Sequence, residues 1–159
     1  MRIPASFIVA LALVVLGCER RAPEPQPPAT GFSERAQPGA LSRSPSPPDA
    51  ALYIISPADG ARVSSPVTVV FGLQGAGVAP AGVDLPNTGH HHLLIDTEVP
   101  PLDSPVPADA QHVHFGLGQT ETIVELSPGE HRLQLLLGDY LHVPHDPPLV
   151  SEPITVRVD

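Results

Sequence analysis

Five of the eight histidines fall in two short stretches. These are Thr88-Gly89-His90-His91-His92-Leu93-Leu94-Ile95-Asp96 and Gln111-His112-Val113-His114-Phe115-Gly116-Leu117-Gly118-Gln119-Thr120-Glu121; His131, His142 and His145 follow. Imidazole is the commonest protein metal ligand and the side chain that titrates nearest neutral pH. Residues i and i+2 of a strand share a face, so His90 and His92 point together, as do His112 and His114. Two such pairs plus His142 would supply the three or four nitrogens that zinc or copper(II) takes. His91 and His145 are further candidates. Asp96, Glu121 and Asp139 are candidates to orient the rings through hydrogen bonds. The competing reading of the same residues is a hydrogen-bonded network that pins loops or responds to pH.

Other chemistries are narrowed by what is missing. Cys18 and Met1 are the only cysteine and methionine, so the region beyond them offers neither thiolate nor thioether. Blue-copper and thioether copper(I) sites are thereby excluded there. No nucleophile with its base and no phosphate-cradling glycine loop is evident; Gly116-Leu117-Gly118 reads as a turn. The chain has no lysine, and from Ala51 onward three arginines face thirteen acids, a balance of −10 with histidines neutral. That balance argues against nucleic acid, which needs a basic footprint, and favours cations.

Short β-type runs separated by turn signals must carry these side chains. Leu52–Ile55, Val67–Leu73, His91–Asp96, His112–Phe115, Thr120–Leu126, Leu133–Leu137 and Ile154–Val158 are seven expected strands, and no segment shows a helical period. Seven short strands from residue 51 to 159 indicate an all-β, immunoglobulin-like antiparallel sandwich. Strand order would then gather every histidine except His131 at one pole. His131 opens the sixth strand at the other end.

Residues 1–17 carry Arg2 and then an apolar run from Phe7 to Leu16, the pattern of a signal peptide and too short to span a bilayer. Val15-Leu16-Gly17-Cys18 resembles a bacterial lipobox, which implies acylation of Cys18 and stable attachment to a lipid bilayer. Glu19 after the cysteine points to the outer membrane, facing the periplasm. Residues 18–50, with eight prolines, read as a disordered tether, and 51–159 as the folded domain.

Four motifs in order, Gly89-His90-His91-His92-Leu93-Leu94-Ile95-Asp96, His112-Val113-His114-Phe115-Gly116-Leu117-Gly118-Gln119-Thr120-Glu121, Pro128-Gly129-Glu130-His131 and Asp139-Tyr140-Leu141-His142, closely resemble an uncharacterised bacterial family, domain of unknown function 4399. The resemblance covers nearly all of 53–158. It implies an exported protein or lipoprotein and maps the family's histidines onto His90, His91, His92, His112, His114, His131 and His142. Leu117 stands where the family usually has lysine. His112-Val113-His114-Phe115-Gly116 is also similar to the copper-ligand strand of copper/zinc superoxide dismutase, though one residue shorter and without that family's disulfide. Cupins share His-x-His with a later Pro-x-Gly…His, contracted here at Pro128–His131. Ser56-Pro57-Ala58-Asp59-Gly60-Ala61 is similar to periplasmic copper-resistance sandwiches, whose N-terminal histidine is missing. The expectation is an envelope lipoprotein that binds copper(II) or zinc as carrier, buffer or accessory domain. The alternatives are a structural module that recognises an envelope protein or polysaccharide, and, third, a metalloenzyme of dismutase or cupin type.

Overall fold

A computed structural model describes residues 41–159; the expected signal segment 1–17, the expected acylation of Cys18 and the tether up to residue 40 lie outside them. All seven expected strands form: β1 (Ala51–Ser56), β3 (Val67–Gln74), β5 (Thr88–Ile95), β6 (His112–His114), β7 (Glu121–Val124), β8 (Gly129–Gly138) and β9 (Ile154–Val158). Two more of two residues each, β2 (Arg62–Val63) and β4 (Gly77–Val78), sit where no alternation could be read. Among the described residues there is no helix.

The strands form two sheets, β1-β3-β7 and β2-β9-β8-β5-β4, with β6 also paired to β5. Every pairing is antiparallel except those of the short strands, β2 on β9 and β4 on β5. In the constant-type immunoglobulin arrangement the fourth long strand joins the first, second and fifth. Here the fourth, β6, lies beside β5 instead, and that choice brings the two histidine strands into register.

Alternation explains the core. Val67, Val69 and Phe71 of β3 face Leu133, Leu135 and Leu137 of β8 and Val156 and Val158 of β9, all buried. The outer face of the larger sheet is covered too. Leu94 and Leu136 pack there with Val106, Val99 and Val150, contributed by the long segments that follow β5 and β8. β5 is therefore buried on both faces, with Leu93 facing one side and Leu94 the other, as in a doubly covered strand.

Residues 43–46, expected as the end of the tether, run along the loop after β8. Arg43 donates to the carbonyls of Pro144 and His145 and pairs with Asp146. The Ser44 hydroxyl donates to Asp139 at 2.8 Å, and Pro45 makes a parallel bridge with Asp146. Proline-rich composition prevents a core, but it leaves carbonyls, Ser44 and Arg43 free to pair with an edge.

Candidate metal centre

The register builds the site. His92 pairs with His114 and Leu94 with His112 across β5 and β6; His90 pairs with Gly138 and His92 with Leu136 across β5 and β8. Paired residues of an antiparallel ladder share a face, so His90, His92, His112 and His114 stand on the outer face of the larger sheet. His142 reaches the same place from the turn after β8. Its backbone adopts a left-handed φ of 67°, a conformation that costs a non-glycine residue on the order of 1 kcal/mol or more and persists only where surroundings enforce it. Asp139 enforces it. Its carboxylate accepts from Leu141 N at 2.9 Å and Val143 N at 3.0 Å, while His142 N donates to its carbonyl at 2.9 Å.

Four rings meet. Ring centres are 5.0 Å apart for His90–His92 and His90–His114, and 4.9 Å for His90–His142. They are 5.1 Å apart for His92–His114, 6.2 Å for His92–His142 and 4.8 Å for His114–His142. A tetrahedral ion about 2.0–2.1 Å from each nitrogen puts ring centres about 3.2 Å from the ion and therefore about 5.2 Å from one another. The six distances describe such a tetrahedron, drawn out along one edge. His90, His114 and His142 each bring one ring nitrogen within 4.8 Å of the others; His92 packs its ring against those of His90 and His114 but is outside that group of three.

Both ring nitrogens of His90 and both of His92 are buried without a hydrogen-bond partner. Leaving a buried polar group unpaired costs about 1–3 kcal/mol. A neutral ring offers one lone pair and one N–H, so an ion would take one nitrogen of His90 and one of His92; the absence of hydrogen bonds at all four atoms leaves a loop-pinning network without its bonds. Burial, followed by the neighbouring His142 and His114, holds the His90 pKa down to about 4, with Asp139 acting the other way. Burial, then His90, His114 and His142, holds His92 down to about 2. His114 is lowered by burial and by His142. These rings are neutral at pH 7, the state in which imidazole binds a cation. Close approach preserves the geometry. A Cβ on Gly138 would lie 2.9 Å from His92 Nε2 and 3.3 Å from the His142 backbone, and one on Gly116 would overlap the His114 ring.

The other candidates lie elsewhere. His91, between His90 and His92, faces the inter-sheet core, 5.1 Å from Phe71, and donates from Nδ1 to Gln119 O at 3.2 Å; burial lowers its pKa. His145 packs over Gly89, with ring nitrogens 3.2 Å from Thr88 O and 3.4 Å from Leu137 O. His112 bonds Asp109, whose carboxyl is held below the usual carboxylate range chiefly by that hydrogen bond. Asp139 shapes the His142 turn and makes no hydrogen bond to a ring. Glu121 is exposed on β7 in the other sheet. Asp96 follows the far end of β5, about 14–20 Å along the strand from His92 and His90. The sequence does not single out Asp109, Ser44 or Gly138, and it marks Gly116 only as part of a turn. For Asp109 the signal was available, a carboxylate three residues before a histidine.

Asp96 serves His131 instead. Its Oδ2 lies 2.7 Å from His131 Nδ1, and His131 Nε2 lies 2.8 Å from Ser127 O and 3.4 Å from Ser127 Oγ. Both ring nitrogens face acceptors, so the ring acts as a charged clamp on the Ser127–Glu130 turn rather than as a base toward the hydroxyl. The Asp96 hydrogen bond raises its pKa. A raised histidine stabilises fully below the unfolded value of about 6.5 and loses that contribution as pH climbs through the folded value. His131→Gln is therefore expected to cost about 1 kcal/mol at pH 6, Asp96 being partly screened by solvent, and less at pH 9. Urea midpoints at the two pH values check it; equal losses would remove the charged clamp.

Compared with known proteins, residues 69–159, more than half of the chain, match a family described as Domain of unknown function (DUF4399). No curated protein and no solved structure matches.

Proposed function

The chain belongs to the DUF4399 family, whose description assigns no activity, so we propose a function from the site itself: binding of a divalent transition metal by His90, His92, His114 and His142. The observation that carries this reading is the tetrahedral cluster of four imidazole rings, two of which, His90 and His92, are buried with no hydrogen-bond partner. A tetrahedral set of imidazole rings suits zinc better than tetragonal copper(II), and zinc is the ion we favour. Four imidazoles bring no charge, so the nearby Asp139 carboxylate is the local counter-charge. With His90 and His92 sealed and His114 exposed, an ion can enter past β6 and be held dry, which suits a carrier, buffer or accessory domain. The lipobox-like Val15-Leu16-Gly17-Cys18 supports display of this domain from an envelope membrane, with the outer membrane's periplasmic face preferred on Glu19.

Calorimetric titration of the untagged, metal-free chain with zinc and copper(II) tests this. One ion per chain is expected, with a dissociation constant of about 1 μM or tighter. Because burial lowers the pKa values of His90, His92 and His114, these three rings should add little dependence of the heat at pH 7.5 on the buffer's ionisation enthalpy. Uptake no tighter than about 1 mM would end the reading.

A further inference from the structure

His112 is set apart from the four-ring cluster in a way that gives it a different job. It stands on the same sheet face, paired with Leu94 beside the His92–His114 pair, about 7 Å along β6 from His114. The ring contacts that unite the four do not extend to it. Its orientation is nonetheless fixed. Asp109 Oδ1 lies 2.9 Å from His112 Nδ1 and also accepts from Gln111 N at 2.8 Å and His112 N at 2.9 Å. A carboxylate held by two backbone N–H groups cannot swing away, so Nδ1 carries the hydrogen and Nε2 the lone pair. Nε2 makes no hydrogen bond among the described residues. A carboxylate on one ring nitrogen and a free lone pair on the other is the arrangement that orients metal-ligating histidines and raises their basicity.

We propose, resting on the metal-binding reading, that the Asp109–His112 pair is an outer capture site that takes a zinc ion from solvent and hands it to His114 and the buried cluster. A hydrated cation cannot reach His90 or His92, which are 0 % and 1 % exposed, until its waters have been replaced. The first contacts must therefore be made at the rim. His114 is the exposed member of the inner set, and His112, its side chain 11 % exposed, stands beside it two residues away on the same face and brings a carboxylate partner that His114 lacks. The exposed Asp109 carboxylate adds the negative charge that draws the ion in. Exchange then proceeds by stepwise replacement, His112 releasing the ion as His114, His142 and the two buried rings close on it.

A capture site changes rates in both directions and leaves equilibrium alone. Stopped-flow loading of the metal-free chain with zinc, and release to a chromophoric chelator, would be compared for wild type, His112→Ala and Asp109→Asn. The alanine variant is expected to load and release on the order of tenfold more slowly, with its dissociation constant within about threefold of wild type. Asp109→Asn keeps an oxygen for the two backbone N–H groups and should slow both rates by less; it decides the matter if His112→Ala does not fold. Wild-type rates in both variants would overturn the proposal while leaving the cluster's affinity intact. A dissociation constant weakened without slower loading would also overturn it, by making His112 an ordinary member of the inner set. Absence of zinc uptake by the wild-type chain would remove the metal reading and this proposal together.

Discussion

His90→Leu is expected to make the metal-free chain more stable and at the same time to abolish useful zinc binding. His90 touches all three other rings of the cluster, and both its nitrogens are buried without partners. Leucine fills a similar volume with no polar atom to desolvate, so the substitution relieves about 1–3 kcal/mol of unmet hydrogen bonding. Zinc sites of four protein ligands are worth about 10–16 kcal/mol in apparent binding free energy, or about 3 kcal/mol per ligand, and each 1.4 kcal/mol is about tenfold in affinity. Loss of one nitrogen should weaken binding at least about a hundredfold. Urea denaturation followed by circular dichroism reads the first effect, and competition with a zinc indicator the second. Opposite signs on stability and binding mark a site kept for function at the expense of the fold. A variant less stable than wild type in the metal-free state would mean that the His90 nitrogens have partners in solution, and the case for the metal would lose its physical basis.

Acidification is expected to be the metal-free chain's weakness. His90 and His92 have folded pKa values of about 4 and about 2 against an ordinary 6.5. Between those values the unfolded chain binds protons that the folded chain refuses, so stability falls as pH falls. The loss begins near pH 6.5, grows by about 1.4 kcal/mol per unit for each ring, and stops for each once its folded value is passed. From pH 7 to pH 5 the two rings together should remove about 3–4 kcal/mol, a large share of the 5–15 kcal/mol typical of a domain. His131 offers no relief, because its contribution is already complete below about 6.5. Urea unfolding of the metal-free chain at pH 7, 6 and 5 should show this slope, and His90→Leu should flatten it by about half. A flat wild-type profile would show that the rings protonate freely and are not sealed.

Period-2 alternation made the strands legible, because Val67, Val69 and Phe71, and Leu133, Leu135 and Leu137, each bury one face. The same period paired His90 with His92 and His112 with His114. Which of the three consecutive histidines turned outward was not legible, since Leu93 and Leu94 are both buried, one between the sheets and one under the second apolar cluster. Local sequence also does not specify that β6 lies beside β5, a long-range pairing, and without it His114 has no reason to meet His92. Asp96 and Glu121 were attractive as carboxylates near histidines in sequence. One lies past the far end of its strand and the other in the opposite sheet, separations that only the topology sets. The short β2 and β4 leave no period to read.

The contact between Ser44 and Asp139 has a mechanical consequence. Tension on the chain ahead of Leu41 enters the domain through Arg43 and Ser44, which grip the loop from Asp139 to Asp146. The few bonds of that grip bear the load in advance of the long ladders of β5, β8 and β9. The carboxylate pulled on first is the one that holds His142 in its left-handed turn. A stretch too weak to unfold the sandwich would therefore disturb the His142 corner of the imidazole cluster before the rest of the domain.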